Sequence, residues 1–237
     1  MIDTVILCGG KGTRAYPHTI EVPKPLLLVD DRPVLQHVMD IYVAQGFDRF
    51  VLAAGYRSDL IEKFAEELVD GGTVSVRDTG EEANTGTRIY RCRDVVSDTF
   101  FATYADGLGN VELAALLEFH RAHGGAATLT TVPLQSQYGT LDIGADARVN
   151  EFREKPRLKE HRINAGFFVF DRRVFDTWEG ADLEREVLPH LAAQGELYAF
   201  QHDGFWKSMD TYKESLDLTE LCHPGPPPWL RPAAEAP

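Results

Sequence analysis

The 237-residue chain contains no apolar run approaching the roughly 18 to 20 residues needed to span a bilayer. Its first residues lack the basic region, apolar stretch and small-residue cleavage site of a secretory leader, so a cytoplasmic location is expected. Positive charge is also in deficit: 24 Lys and Arg stand against 37 Asp and Glu, a net charge of −13. A general nucleic-acid binder would carry a basic face, and that class is not expected. A phosphorylated small molecule stays open, because local cations and backbone N–H groups decide its binding. Cysteine is scarce. Cys8, Cys92 and Cys222 are odd in number and have no metal-ligand spacing, which excludes a disulfide framework and reads as buried or inert thiols. Neither an internal repeat nor a linker-like stretch interrupts residues 1–222, so a single domain is expected there. The remaining "HPGPPPWLRPAAEAP", residues 223–237, reads as a proline-rich tail, extended or frayed.

What the chain does have is alternation. Short apolar runs at Val5–Cys8, Leu26–Val29, Arg49–Ala54, Thr73–Val76, Thr99–Tyr104, Ala126–Val132, Gly166–Phe170 and Leu197–Gln201 predict strands. Helical periodicity falls between them at Val34–Gln45, Ser58–Val69 (with Ser58 as cap), Val111–His123, Leu183–Gln194 and Tyr212–Leu221. Strands alternating with helices predict an α/β fold, a Rossmann-like three-layer α/β/α arrangement around a mostly parallel sheet. Consecutive strand signals at Gly139–Ile143 and Val149–Glu154 predict a mixed portion.

The most specific local pattern is "VILCGGKGTRAYPHTIEVPKP", Val5 to Pro25. Gly9, Gly10 and Gly12 follow the first strand, where missing side chains let a ligand lie against the backbone. The dinucleotide fingerprint is excluded, since Gly10-Lys11-Gly12-Thr13-Arg14-Ala15 lacks the third glycine; the Walker loop is absent too. What remains is G-G-x-G-T-R, and ten residues after Arg14 comes Lys24, held between Pro23 and Pro25. The prolines fix the local backbone and so aim the lysine. Asp106 follows a strand and precedes Gly107; read alone, such an aspartate is a turn or capping residue more often than a ligand. "DTGEEANTGTR" reads either as a surface connection or as a loop offering backbone groups to a base edge, with Arg88 in reach of a phosphate.

"LCGGKGTR" with "PKP" resembles the N-terminal signature of the sugar-1-phosphate nucleotidyltransferases, which join a nucleoside triphosphate to a sugar 1-phosphate and release pyrophosphate. The resemblance continues in order through "DTGEEANTGTR", "TYADG", "YGTLDI", "FREKP", "INAGFFVF" and "FWKSMDT", to about residue 221. It implies catalytic roles on phosphate for Arg14 and Lys24, and Mg²⁺ held by Asp106 and Asp210, hard oxygen donors suited to that cation. It implies a nucleotide site from Leu7, Cys8, Gly9, Gly10, Lys11, Gly12 and Thr13 on one side, and Thr85, Gly86, Arg88 and Ala105 on the other. Glu154 would accept from sugar hydroxyls, Lys155 would hold the sugar phosphate, and Gly139 and Asn164 would line the sugar pocket. A homo-oligomer is expected on the same grounds.

Within the family the segments look most like members using CTP and glucose 1-phosphate. Cys8 in place of the usual alanine, Ala105 in place of glycine and Ser208 in place of proline leave base and sugar open to guanylyl, thymidylyl or uridylyl transfer onto another sugar or cyclitol phosphate. A non-catalytic sugar-nucleotide binding module would lack at least one of Arg14, Lys24, Asp106 and Asp210, and all are present. A glycosyltransferase would show Asp-x-Asp where this chain has Tyr104-Ala105-Asp106.

Overall fold

Period-two alternation in the first strand sets the architecture. Val5 and Leu7 point into one buried cluster, Ile6 and Cys8 into another, so the strand is covered on both faces. A computed structural model describes residues 1–68 and 72–232 of the chain. In chain order the first half comprises β1 (Thr4–Leu7), β2 (Leu28–Val29), β3 (Arg32–Pro33), α1 (Val34–Val43), β4 (Arg49–Ala54), α2 (Ser58–Glu67), β5 (Thr73–Asp78), α3 (Thr85–Arg91) and β6 (Thr99–Tyr104). There follow β7 (Gly107–Gly109), α4 (Leu113–His123), β8 (Ala127–Gln135), β9 (Thr140–Ile143), β10 (Val149–Arg153) and β11 (Arg157–Asp171). The chain continues through α5 (Leu188–Ala193), β12 (Leu197–Gln201), β13 (Trp206–Ser208) and α6 (Tyr212–Glu220).

Seven strands form the main sheet in the order β12-β8-β11-β6-β1-β4-β5. All neighbours are parallel except those of β11, which runs antiparallel to β6 and β8. One face is packed by α1, α2, α4 and α6 through residues such as Leu35, Ile61, Leu116 and Leu218. The other is packed by Ile89 of α3 and by Leu183, Val187, Leu188 and Leu191. This is the three-layer α/β/α fold expected from the alternation.

Several local expectations are corrected. Ser58 is the first helical residue of α2 rather than its cap; Arg57, at φ 51°, precedes it and no side chain caps the end. The helix ends at Glu67, and the expected terminus at Val69 lies outside the described residues. β11 begins at Arg157, well before Gly166, because its polar first half pairs with the end of β8 beyond the core, where no apolar run announces a strand. The expected helix Leu183–Gln194 starts as a π-type turn, Leu183–Val187, and becomes α-helical at Leu188 with Pro189 in its first turn, where a missing N–H is harmless.

The tail also differs. Residues 223–230 are neither frayed nor outside the folded domain, although residues 233–237 lie beyond the described part. Pro228–Leu230 form a tight turn that drives Trp229 into the core, leaving it 2% exposed, edge-on to His37 with ring centroids 5.5 Å apart. Trp229→Ala is expected to cost about 3–5 kcal/mol, as for other buried aromatics cut to alanine. The urea midpoint of the variant measures this; an unchanged midpoint would mean that the segment is not part of the core.

Candidate active site

β1, β4 and β6 run parallel and end in register, Leu7 beside Ala53 and Tyr104, with Asp78 of β5 level with Ala54. In such sheets ligands lie beyond the carboxyl ends of the strands. Here those ends open into a cavity of about 640 Å³ lined on one side by Gly9, Gly10 and Gly12.

Two of these glycines are sterically required. A Cβ on Gly9 would lie 2.0 Å from Nη1 of Arg88. Gly12 has φ +60°, and a Cβ there would lie 2.7 Å from Cβ of Lys24. The loop thus folds directly onto the two cations that organise it. The Arg88 guanidinium is buried and donates to the carbonyls of Ala54, Gly80, Gly9 and Glu81 and to Thr79 Oγ1. It ties the glycine loop to the ends of β4 and β5. Its two terminal nitrogens are therefore turned onto protein oxygens, while Arg88 also lines the cavity.

Lys24 sits in a short turn between Pro23 and Leu27, with its side chain only 10% exposed. Its Nζ lies 2.5 Å from Asp106 Oδ2 and 3.0 Å from Asp210 Oδ1. Arg14 Nη2 reaches the same Asp210 oxygen at 2.8 Å, while its side chain is 73% exposed and free to turn toward solvent. Burial raises the Asp210 carboxyl, but Lys24 and Arg14 outweigh it and hold the group below its ordinary range.

The two aspartates, 104 positions apart in sequence, meet because β13 pairs antiparallel with β7, Ser208 opposite Gly107. The Met209 N–H then donates to the Asp106 carbonyl at 2.9 Å. Beyond Asp210, Thr211 and Glu214 form a reciprocal capping box at the start of α6, and Glu214 Oε2 also accepts from the Asp210 N–H at 2.7 Å. The backbone carrying Asp210 is thereby fixed.

Of the remaining expected site residues, Leu7, Thr85, Ala105 and Asn164 line the cavity. Cys8 does not. Its side chain belongs with Ile6 to the opposite face, donates from Sγ to the Ile6 carbonyl and is pushed up by burial, so it cannot stand beside a base. Lys11 is on the surface, paired with Glu81 and Glu82 at 3.3 and 2.6 Å, and Thr13 is exposed.

Gly86 lies inside α3, where a Cβ would come within 2.8 Å of the Ala181 carbonyl oxygen; it serves helix packing and is absent from the cavity wall. Gly139, Glu154 and Lys155 are grouped at the β9–β10 hairpin, whose strands pair only with each other. They too lie off the cavity wall.

Tyr104, Asp182, Glu184, Trp206 and Ser208 line the cavity and were not expected. Tyr104 and Ser208 adjoin the two aspartates and were within reach of that motif. Trp206 donates to the Ala165 carbonyl at 2.8 Å. Glu184 carries no sequence signal, since it reaches the cavity only through the irregular turn before α5.

The fold and the cation–carboxylate cluster place the chain in a class. It belongs to the nucleotidyl transferase family, matched over residues 3–220, and within it to the sugar-1-phosphate nucleotidyltransferases. It is similar to glucose-1-phosphate cytidylyltransferase of Salmonella typhimurium, 37% identical over 96% of this chain and 98% of that one. It is 36% identical to the probable glucose-1-phosphate cytidylyltransferase of Bacillus subtilis, over 96% and 99% of the two chains. In fold it is similar to HddC from Yersinia pseudotuberculosis, with a TM-score of 0.72, 23% identity, and 93% and 99% of the chains covered.

Proposed function

We propose that the chain transfers a cytidylyl group from CTP to a glucose-like sugar 1-phosphate and releases pyrophosphate. The observation that carries the reading is the buried Lys24 ammonium, bridging Asp106 and Asp210 beside Arg14, at a cavity walled by bare glycine backbone. Two anionic reactants must approach each other there, and positioned cations offset their repulsion. An oxygen of the sugar phosphate attacks the α-phosphorus in line, and the bond from that phosphorus to the bridging oxygen of pyrophosphate breaks. No protein nucleophile is required. Lys24 leaves its carboxylates for the α-phosphate or the sugar phosphate, and Arg14, already exposed, turns onto the departing pyrophosphate as a fork.

Among the described residues no group of three or more His, Cys, Asp and Glu could cage a metal ion. Asp106 and Asp210 supply an all-oxygen pair instead, which fits Mg²⁺ arriving with a triphosphate and completing its shell from phosphate and water. When bound it neutralises phosphate charge. Glu154 and Lys155, which flank the β9–β10 hairpin off the cavity wall, are the proposed contacts to the sugar hydroxyls and the sugar phosphate, with Asn164 on the wall itself.

The choice of CTP rests on the two cytidylyltransferase relatives and on the 83–85 segment, which offers Asn84 and Thr85 to the cavity and contains no glutamine. Pyrophosphate release measured for CTP, GTP, UTP and dTTP, each crossed with glucose and mannose 1-phosphates, tests it. The highest kcat/KM is expected for CTP with the glucose compound, by a factor of about 10⁴ over mismatched bases if base-edge groups are left unpaired. A higher value for GTP or dTTP contradicts the base; no pyrophosphate from any pair contradicts the reaction.

A further inference from the structure

Arg14 is carried by residues 13–22, most of them exposed, and the contacts of this segment fix where the arginine can go. Thr19 Oγ1 donates to the Gly12 carbonyl at 3.0 Å and folds the segment back onto its own base. Tyr56 Oη donates to the Ile20 carbonyl and Arg57 Nη1 to the Glu21 carbonyl, both at 2.7 Å, which ties the exit to the start of α2. Between these ends two side chains reach across to the junction of β13 and α6. Arg14 pairs with Asp210. His18, four residues on, lies flat against Tyr212, with ring centroids 4.1 Å apart and planes 15° from parallel. Tyr212 is the first residue of α6, two positions after Asp210, and the capping box of Thr211 and Glu214 fixes the backbone beneath it. His18 and Tyr212 are both exposed, Tyr212 by 47%, so the pair does not serve the core.

The two contacts respond differently to substrate. In the proposed reaction Arg14 leaves Asp210 for the departing pyrophosphate. The ion pair that docks the segment is then gone at the moment the arginine has to be aimed. The stack is not exchanged in this way. A polyanion does not compete for a ring face, whose quadrupole is negative, and salt that screens an exposed ion pair leaves ring packing in place. We propose that Tyr212, through its stack on His18, is a positioning residue that keeps the Arg14 segment docked against α6 after Arg14 has left Asp210. Tyr212 orders the arginine rather than touching the substrate, and so reduces the entropy lost in aiming a long side chain. This deepens the nucleotidyl-transfer reading and rests on the part given there to Arg14.

Pyrophosphate release tests this in the wild type, Tyr212→Ala, Tyr212→Phe, Arg14→Ala and the double variant Arg14→Ala/Tyr212→Ala. The substrates are CTP and glucose 1-phosphate, or whichever pair the panel selects. Alanine suits a helix and keeps the bond from Ser215 Oγ to the residue-212 carbonyl, so matching melting temperatures are expected. Tyr212→Ala is expected to lower kcat about 3–10-fold, the scale of an aromatic pair, with the KM for glucose 1-phosphate unchanged. Tyr212→Phe keeps the ring and is expected to retain the wild-type kcat. In the Arg14→Ala background, removing the ring is expected to change nothing further, because the residue it positions is gone. An unchanged kcat in Tyr212→Ala, an equal loss in Tyr212→Phe, or an equal fall in both backgrounds overturns the proposal and leaves nucleotidyl transfer intact. Full activity in Arg14→Ala overturns the part given to Arg14, and no pyrophosphate from the wild type with any pair overturns transfer itself; the proposal falls with either.

Discussion

Lys24→Ala is expected to lower kcat/KM for pyrophosphate release by about 10²–10³-fold in a protein that still folds, the loss seen when one positioned charge-stabilising donor is removed. The fold survives because the lysine's loss uncovers carboxylates already in contact with water: the side chains of Asp106 and Asp210 are 23% and 26% exposed. Chemistry does not survive, since Arg14, the other cation of this cluster, is paired with Asp210 alone, whereas Lys24 bridges Asp210 and Asp106. Acid stability supplies an independent readout. Asp210's carboxyl is raised by burial and brought below its ordinary range chiefly by Lys24, then Arg14. A depressed carboxylate pKa contributes stability at neutral pH that is lost as pH falls through the folded value. Lys24→Ala should shrink that contribution, so melting temperature should fall less steeply on acidification than in the wild type. Near-normal turnover in the folded variant would refute the assignment of Lys24.

Asp106→Asn and Asp210→Asn should each lower activity and raise the Mg²⁺ concentration for half-maximal rate by at least about 10–100-fold, the range found when a metal site loses merely an outer partner. A neutral amide is a poorer donor to a hard cation. The backbone at both positions is pinned, by the Met209-to-Asp106 hydrogen bond and by Glu214 at the start of α6, so each change removes charge with little displacement. Titration of Mg²⁺ at saturating nucleotide measures the effect. An unchanged half-saturation in either variant would remove that aspartate from the metal site.

The parts of the site legible in the sequence are those fixed by local chain geometry. A strand end followed by glycines announces an open backbone, prolines around Lys24 announce a restrained cation, and Asp106 follows directly from its strand. What sequence could not give was facing. Cys8 and Leu7 are adjacent, but alternation sends the thiol into the layer below and only Leu7 to the cavity. The part Arg88 plays in the loop was not legible either: the glycines at positions 9 and 55 make room for its guanidinium to bind carbonyls. α3 was hidden by Gly86, a poor helix former retained because it packs against Ala181. Glu184 and Trp229 were invisible for a related reason: each gains its place from contacts far off in the chain, with no local pattern to mark it.

The central claim is direct attack of a sugar phosphate on the α-phosphorus of CTP. Glucose 1-phosphate carrying ¹⁸O on its non-bridging phosphate oxygens, incubated with the protein, CTP and Mg²⁺, tests it by ³¹P NMR. The account predicts CDP-glucose with ¹⁸O in the oxygen bridging its two phosphorus atoms, and pyrophosphate free of label. Unlabelled bridging oxygen, label in pyrophosphate, or no pyrophosphate at all would contradict it.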